Sequence, residues 1–239
     1  MFFSRRSTQE EYFDSARPAE EVAEFFRSLG RVNRFFDFAQ PFRYLVPRML
    51  DQGDCRSVSI LDVGAGDGAL GKAVAKWAKG MGWDWRVVNL DTSLAALGLN
   101  PGGMNVAGSA VQLPFQDNAF DAVLASQMAH HLTERQVKLM LQECWRVSRR
   151  AVILCDLHRN LGLYLALRLL FCFQHHPASF RSDALLSVRK AWRTKDLARL
   201  AGEAGLAGAS VKLYFGARVI LRALKPSNGC VRPSRPGSV

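Results

Sequence analysis

No two of the five cysteines, Cys55, Cys144, Cys155, Cys172 and Cys230, form a CxxC pair, and together they make no even framework. A zinc module and a disulfide-stapled scaffold are both excluded, and a reducing compartment is the expectation. Long apolar runs are missing too. A membrane-spanning helix needs roughly 18 consecutive apolar residues, whereas the best stretch, 161–173, has 13 residues and contains Arg168. The start of the chain, MFFSRRSTQEEYFD, has no hydrophobic signal core, and Glu10, Glu11 and Asp14 argue against a mitochondrial transit peptide. The expectation is therefore a soluble, cytoplasmic protein. Acidic residues are scarce, 21 against 32 Lys+Arg, for a net charge of +11. That imbalance bears on partners and solubility rather than on fold. With 239 residues, 49% hydrophobic and 22% charged, the chain has the composition of one globular domain with an appendage.

What is present changes in texture along the chain. Residues 1–52 read as a helical N-terminal cap of three short helices, built on Val22, Phe25, Phe26 and Leu29, then Val32, Phe35 and Phe36, then Phe42, Leu45, Val46 and Met49, with Pro41 and Pro47 as punctuation. From residue 57 strand-like runs alternate with helical ones. SVSILDVG, WRVVNLD, MNVAG, FDAVLAS and AVILCD read as five strands, with helices over 69–79 and 133–147, the latter opened by a Thr133–Gln136 capping box. Alternation of this kind predicts a doubly wound, mostly parallel α/β sheet. After Asp156 come an apolar helix over 161–173, an irregular HHPASFRSD, a short helix over 194–204, and two strands meeting at Gly216 within 209–224. These last two bring the expected sheet to seven strands. The main domain is placed at 53–224, and 225–239, rich in Pro, Ser and Gly, reads as a disordered tail.

The segment that carries chemistry is Ile60-Leu61-Asp62-Val63-Gly64-Ala65-Gly66-Asp67-Gly68, where a strand ends, the chain turns on glycines and a helix begins. Pattern alone allows a dinucleotide fingerprint or the DxGxGxG turn of proteins that bind S-adenosylmethionine. Charge separates them. A pyrophosphate over this turn meets two carboxylates of the wrong sign, Asp62 and Asp67, whereas the ammonium and sulfonium of S-adenosylmethionine are attracted by Asp62. Its carboxylate can take the helix N-terminus. Asp91 ends the second strand 27 positions after Gly64, where one carboxylate can accept both ribose hydroxyls.

From about Ser57 to Leu157 the chain resembles the class I S-adenosylmethionine-dependent methyltransferases, especially the ubiquinone and menaquinone branch. ILDVGAGDG, VVNLD, GSAVQLPFQDNAFDAVLASQMAHHL and AVILCD occur in the family's order. The resemblance implies a Rossmann-like methyltransferase fold. It also implies cofactor contacts from Asp62, Gly64, Ala65 and Gly66, from Asp91 and Thr92, from Ser109 and Ala110, and from Ser126. Where the family commonly has an Asp near the adenine, this chain has Gly108-Ser109-Ala110, so a charge-assisted bond to the adenine amino group is lost. The stretches DLHRNLGLYLALRLL and LLSVRKAWRTKDLARLAGEAGL look like a subgroup of bacterial secondary-metabolite enzymes.

Methyl transfer to oxygen calls for a base, and transfer to carbon calls for an enol-like or phenolic acceptor. His130 and His131 follow the fourth strand and His158 follows the fifth, so these three are the candidate bases. Phe25, Phe26, Phe35, Phe36 and Phe38, facing Leu161, Tyr164, Leu165 and Phe171, suggest an apolar lining for a small aromatic or polyketide-like acceptor. No metal site is expected from the adjacent His175 and His176. Between residues 140 and 200, eleven Lys/Arg face four Asp/Glu. An RNA methyltransferase is therefore a competing reading, as is a non-catalytic partner protein of the same fold. Against nucleic acid, the cations are dispersed without an aromatic platform, and the Asn/Asp-Pro-Pro-(Tyr/Phe) signature of base methylation is absent. Contact of 161–173 with an anionic membrane surface is a further partner reading.

Overall fold

Strand β1 (Ser57–Val63) alternates between two buried faces, and its neighbours repeat the pattern. Leu61 and Val63 join one apolar cluster with Val123, Ala125, Val152 and Leu154. Val58 and Ile60 join a second with Ala122, Leu124, Ala151 and Ile153. Burial on both faces is the mark of a parallel sheet sandwiched by helices. The computed structural model describes residues 3, 5–50, 55–206 and 208–226. The remaining strands are β2 (Asp84–Asp91), β3 (Met104–Ala107), β4 (Phe120–Ser126), β5 (Ser148–Leu157), β6 (Ser210–Tyr214) and β7 (Arg218–Leu224). They pair in the order β3-β2-β1-β4-β5-β7-β6, with β7 antiparallel to both β5 and β6. This is the seven-stranded, mostly parallel Rossmann-like sheet expected. The order of strand addition reverses between the parallel neighbours β1 and β4, the switch point beside which open α/β sheets bind ligands.

Helices α1 (Ala19–Phe35), α2 (Gln40–Met49), α3 (Ala69–Gly80), α4 (Leu94–Gly98), α5 (Glu134–Val147), α6 (Leu161–Phe173), α7 (Ala178–Lys190) and α8 (Thr194–Glu203) complete the fold. One sheet face is covered by α2 and α3, which contribute Phe42, Val46, Leu70 and Val74, and the other by α5 and α8, which contribute Met140, Leu141, Leu197 and Leu200.

Three expectations need correction. The first two of the three short amino-terminal helices are one continuous helix, α1, because nothing between Leu29 and Val32 breaks it; Gly30 has open space around it. In α2, Pro41 occupies the first turn, where its missing N–H costs nothing, and Pro47 is held inside the last turn by packing of Leu45 and Val46 rather than ending the helix. The stretch read as irregular contains the start of α7, with Pro177 as its N-cap. Its buried residues include Asp183, Ser187 and Lys190, so no apolar periodicity announces it. The tail proposed at 225–239 lies outside the described residues from 227 onward.

Candidate active site

Asp62, near the carboxyl end of β1, is 1% exposed. After it the backbone turns through Gly64, Gly66 and Gly68 at φ of +69°, +56° and +69°, a region that favours glycine. Gly64 and Ala65 donate their N–H groups to the Leu90 carbonyl at 2.8 and 3.0 Å, which ties this turn to the end of β2. The Asp62 carboxyl accepts a bond from Gly71 N–H in α3, while its Oδ2 has no partner among the described residues. Burial, opposed by the Gly71 N–H but reinforced by the Asp91 and Asp67 charges, pushes the Asp62 carboxyl up to about 8. A buried carboxyl with an unpartnered oxygen beside two more carboxylates is suited to a cation, which fits the ammonium of S-adenosylmethionine and does not fit a pyrophosphate.

The other expected cofactor residues lie along the same edge. Asp91, ending β2, accepts bonds from Gly66 N–H through Oδ2 and from Ser93 N–H through Oδ1, both at 2.8 Å. Thr92 beside it is exposed. Gly108 N–H donates to the Asp91 carbonyl at 3.0 Å, which brings Ser109 and Ala110 to the same edge. Ser126 ends β4. Beyond it Gln127, at φ +52°, donates through Nε2 to Asn33 Oδ1 of α1 at 2.9 Å, and Met128 packs on Gly64. Helix α1 also lays Phe26 on Gly66, where an added Cβ would stand 2.5 Å from the ring. The glycine turn is therefore covered by α1.

Beside this edge stands a histidine–aspartate pair. Asp156, on β5, is 1% exposed; its Oδ2 accepts from His130 N–H at 2.9 Å, and its Oδ1 pairs with His130 Nδ1 at 2.7 Å. Burial alone would raise the Asp156 carboxyl, but the charge and hydrogen bond of His130, with Leu157 N–H, hold it below the usual range. His131 is half-exposed and pairs through Nδ1 with Asp14 Oδ1 at 2.6 Å. His158 belongs to another set of contacts: its Nδ1 meets Asn160 at 3.2 Å, and burial, then Arg193 and Arg159, lower its pKa.

An amino-terminal strap that the sequence did not disclose closes over the pair. Arg6 donates to the carbonyls of His130 and Leu132 and stacks on Trp192. Tyr12 and Phe13 donate their N–H groups to Asp183 at 2.9 and 3.1 Å. Lys190, itself buried, bridges Glu11 at 3.3 Å and Asp14 at 2.8 Å. Burial raises Glu11 and would raise Asp14, but in Asp14 the bonds from His131 and Lys190 and the backbone of Glu11 win and hold it well below the carboxylate range. A Glu11 oxygen and a ring nitrogen from each of His130 and His131 lie within 4.8 Å of one another, a spacing that can hold a metal ion, although the Lys190 ammonium already stands 3.3 Å from the Glu11 carboxylate. No sequence signal marked Arg6, Asp183 or Lys190, because lone charged residues look like solvated surface.

Of the residues expected to line an apolar pocket, Phe25, Phe26 and Phe171 join one aromatic cluster. Phe13 meets Phe25, Phe25 meets Phe26 and Phe180, and Phe180 meets Phe171 and His176, with ring centroids 4.3 to 6.1 Å apart. Phe35, Phe36, Leu161 and Leu165 instead face solvent.

Residues 61–155, most of this edge, match the model of a family described as a methyltransferase domain. Residues 61–155 thus carry a methyltransferase domain, whose cofactor is S-adenosylmethionine. No curated protein matches the sequence of the chain. Among solved structures, the magnesium protoporphyrin IX methyltransferase of Synechocystis PCC 6803, with S-adenosylhomocysteine bound, shares the fold at 18% identity and a TM-score of 0.53, over 79% of this chain and 83% of that one. The plantazolicin methyltransferase BamL superposes with a TM-score of 0.64 at 12% identity, over 86% of this chain and 90% of that one. A methyltransferase from Aquifex aeolicus gives 0.57 at 14% identity, over 87% and 99%. The methyltransferase fold thus extends well beyond the segment that matches in sequence.

Proposed function

We propose that the chain methylates a small, apolar, aromatic molecule on oxygen, with His130 as the base and Asp156 holding it in place. The observation that supports this reading is the double grip of one buried carboxylate on the backbone N–H and Nδ1 of His130, beside the cofactor edge and near an aromatic cluster. S-adenosylmethionine supplies an electrophilic methyl on a sulfonium, so the chain's own tasks are to align the acceptor and remove its proton. With Nδ1–H on Asp156, Nε2 would be left to take the hydroxyl proton as the O–H bond breaks, while the oxygen would gain the methyl as the S–CH3 bond breaks and the sulfonium leaves as a neutral thioether. Asp156 then stabilises the imidazolium, the division of labour known from Ser-His-Asp triads. Asp62 would hold the ammonium end of the cofactor, Asp91 and Thr92 its ribose, and Ser109 and Ala110 its adenine, with Gly64, Ala65, Gly66 and Ser126 lining the path. A phenol or enol ionised by the same base would also serve as a carbon acceptor. His131, tied to Asp14, is assigned to holding the strap, and His158 is left outside the site.

The basic stretch at 140–200 lends little to a nucleic-acid reading. Arg146 is paired with Glu143 and Asp117, Arg149 with Asp121, Arg159 with Asp196, Lys190 with Glu11 and Asp14, and Arg199 with Glu134 and Glu203.

The test is turnover of phenolic and polyketide-like acceptors by the purified protein, His130→Gln and Asp156→Asn. Both variants are expected to bind S-adenosylmethionine as tightly as the wild type and to lose kcat by about 100-fold or more, the usual weight of a general base. Unchanged kcat in His130→Gln would falsify the assignment.

A further inference from the structure

Helix α6 is apolar nearly all round, LGLYLALRLLFCF, yet it does not lie against the sheet. Its buried Leu163 and Leu167 pack with Val188 of α7 and Val32 of α1. The opposite side is left bare: Leu161, Leu165, Leu169 and Phe173, spaced four apart on one stripe, are 54%, 52%, 61% and 81% exposed. A helix apolar on every side is normally buried in protein or in lipid, and a bare stripe of this size marks a binding surface. With 13 residues α6 is too short to span a bilayer, and no described helix is long and apolar enough to do so.

What borders the stripe says what covers it. Just past Phe173, a cavity of about 370 Å³ is lined by Arg31, Arg34, Gln174 and His175. Arg31 is bonded to neutral groups, Ser28 Oγ, the His175 carbonyl and His176 Nδ1. Neither Arg31 nor Arg34 has a carboxylate partner among the described residues, in contrast to Arg146, Arg149 and Arg199. Phe35, 64% exposed, follows Arg34 directly. At the other end of α6, Asn160 holds the β6–β7 turn through the Gly216 carbonyl, and that turn carries Phe215, 88% exposed. Helix α6 itself contains Arg168 and no acidic residue. Exposed apolar side chains beside unpaired cations, on a chain of net charge +11, match an anionic lipid surface, into whose acyl region the stripe can sink while the arginines meet phosphates.

We infer that α6, with the Arg31–Arg34 cavity beside it, docks this protein on an anionic lipid bilayer, the cavity receiving a lipid phosphate. This inference goes beyond the proposed reaction and does not depend on it. The test is flotation of the full-length protein with vesicles of phosphatidylcholine alone and of phosphatidylcholine mixed with phosphatidylglycerol. The wild type is expected to float with the mixed vesicles at least tenfold more strongly than with phosphatidylcholine alone. Leu165→Glu/Leu169→Glu should abolish flotation, and Arg34→Gln should weaken it about fivefold on the anionic vesicles, the contribution of one cation near such a surface. Because all three side chains lie on the surface, circular dichroism and S-adenosylmethionine binding should stay unchanged. Failure to float with either vesicle, or flotation by the double variant as strong as wild type, overturns the inference. So does a dimer in sedimentation that the double variant dissolves, since a second copy would then be what covers the stripe.

Discussion

Asp62 carries a linkage that can be measured. Its carboxyl rises from an ordinary 3.8 to about 8 because burial outweighs the single N–H bond it receives and two further carboxylates stand near. A group raised in the folded state contributes stability that is complete below pH 4 and is lost as pH climbs through 8. Protein without cofactor should therefore lose thermal stability between those values. On the proposed seat of the cofactor's ammonium against Asp62, the cation would lower that pKa again and binding would release a proton. Affinity for S-adenosylmethionine is expected to rise with pH up to about 8 and then level off, and calorimetry in buffers of different ionisation enthalpy should show the released proton. Asp62→Asn should bind the cofactor more than tenfold more weakly and show no such pH dependence. A pH-independent affinity in the wild type would place the ammonium elsewhere.

At the level of elements, the close seat of α3 on β2 is decided at Gly71. A Cβ there would stand 2.6 Å from Asn89 Oδ1 and 3.0 Å from Val87. Asn89 has little room to move, being buried and bonded through Nδ2 to Asn105 Oδ1 at 3.0 Å, while Asn105 donates to the Leu97 and Asn100 carbonyls. Gly71→Ala should cost about 1–3 kcal/mol, the usual penalty for overpacking, even though Ala is the better helix former. Helix α5 gives the opposite case, because its start was legible. The Thr133–Gln136 box closes with Thr133 Oγ1 accepting from Gln136 N–H and Gln136 Oε1 accepting from Thr133 N–H. Thr133→Ala should lower stability by about 1 kcal/mol in chemical denaturation.

Across the whole molecule, the strap couples the two ends of the chain: residues 6–14 bind to α7, some 170 positions later, over the His130–Asp156 pair. Asp183 is the pin, since both of its oxygens take backbone N–H groups of the strap. Asp183→Ala removes two charge-assisted bonds, each worth about 1.5–3 kcal/mol. Hydrogen exchange at Tyr12 and Phe13 should accelerate by at least tenfold while amides of β1 and β4 stay protected. Equal protection in the variant would mean that Lys190 and Arg6 hold the strap without it.

Local chemistry alone was enough to read the sheet and the turn that follows its first strand. Short continuous apolar runs, the glycine turn after Asp62 and the acidic end of β2 are each written within a few neighbouring residues, because backbone conformation and the burial of a short strand are short-range matters. The pairing of His130 with Asp156, the cover of Phe26 on Gly66 and the existence of α7 were not legible, although His130 and Phe26 were already marked as residues of interest. Helix α7 buries Asp183, Ser187 and Lys190, which read as surface until Glu11, Asp14 and the Tyr12 backbone arrive as partners. A polar residue can be buried only where its counterpart is delivered in space, and these counterparts lie at the far end of the chain. Tertiary structure likewise decided that one side of α6 would be bare, because an apolar sequence demands burial but does not say what provides it.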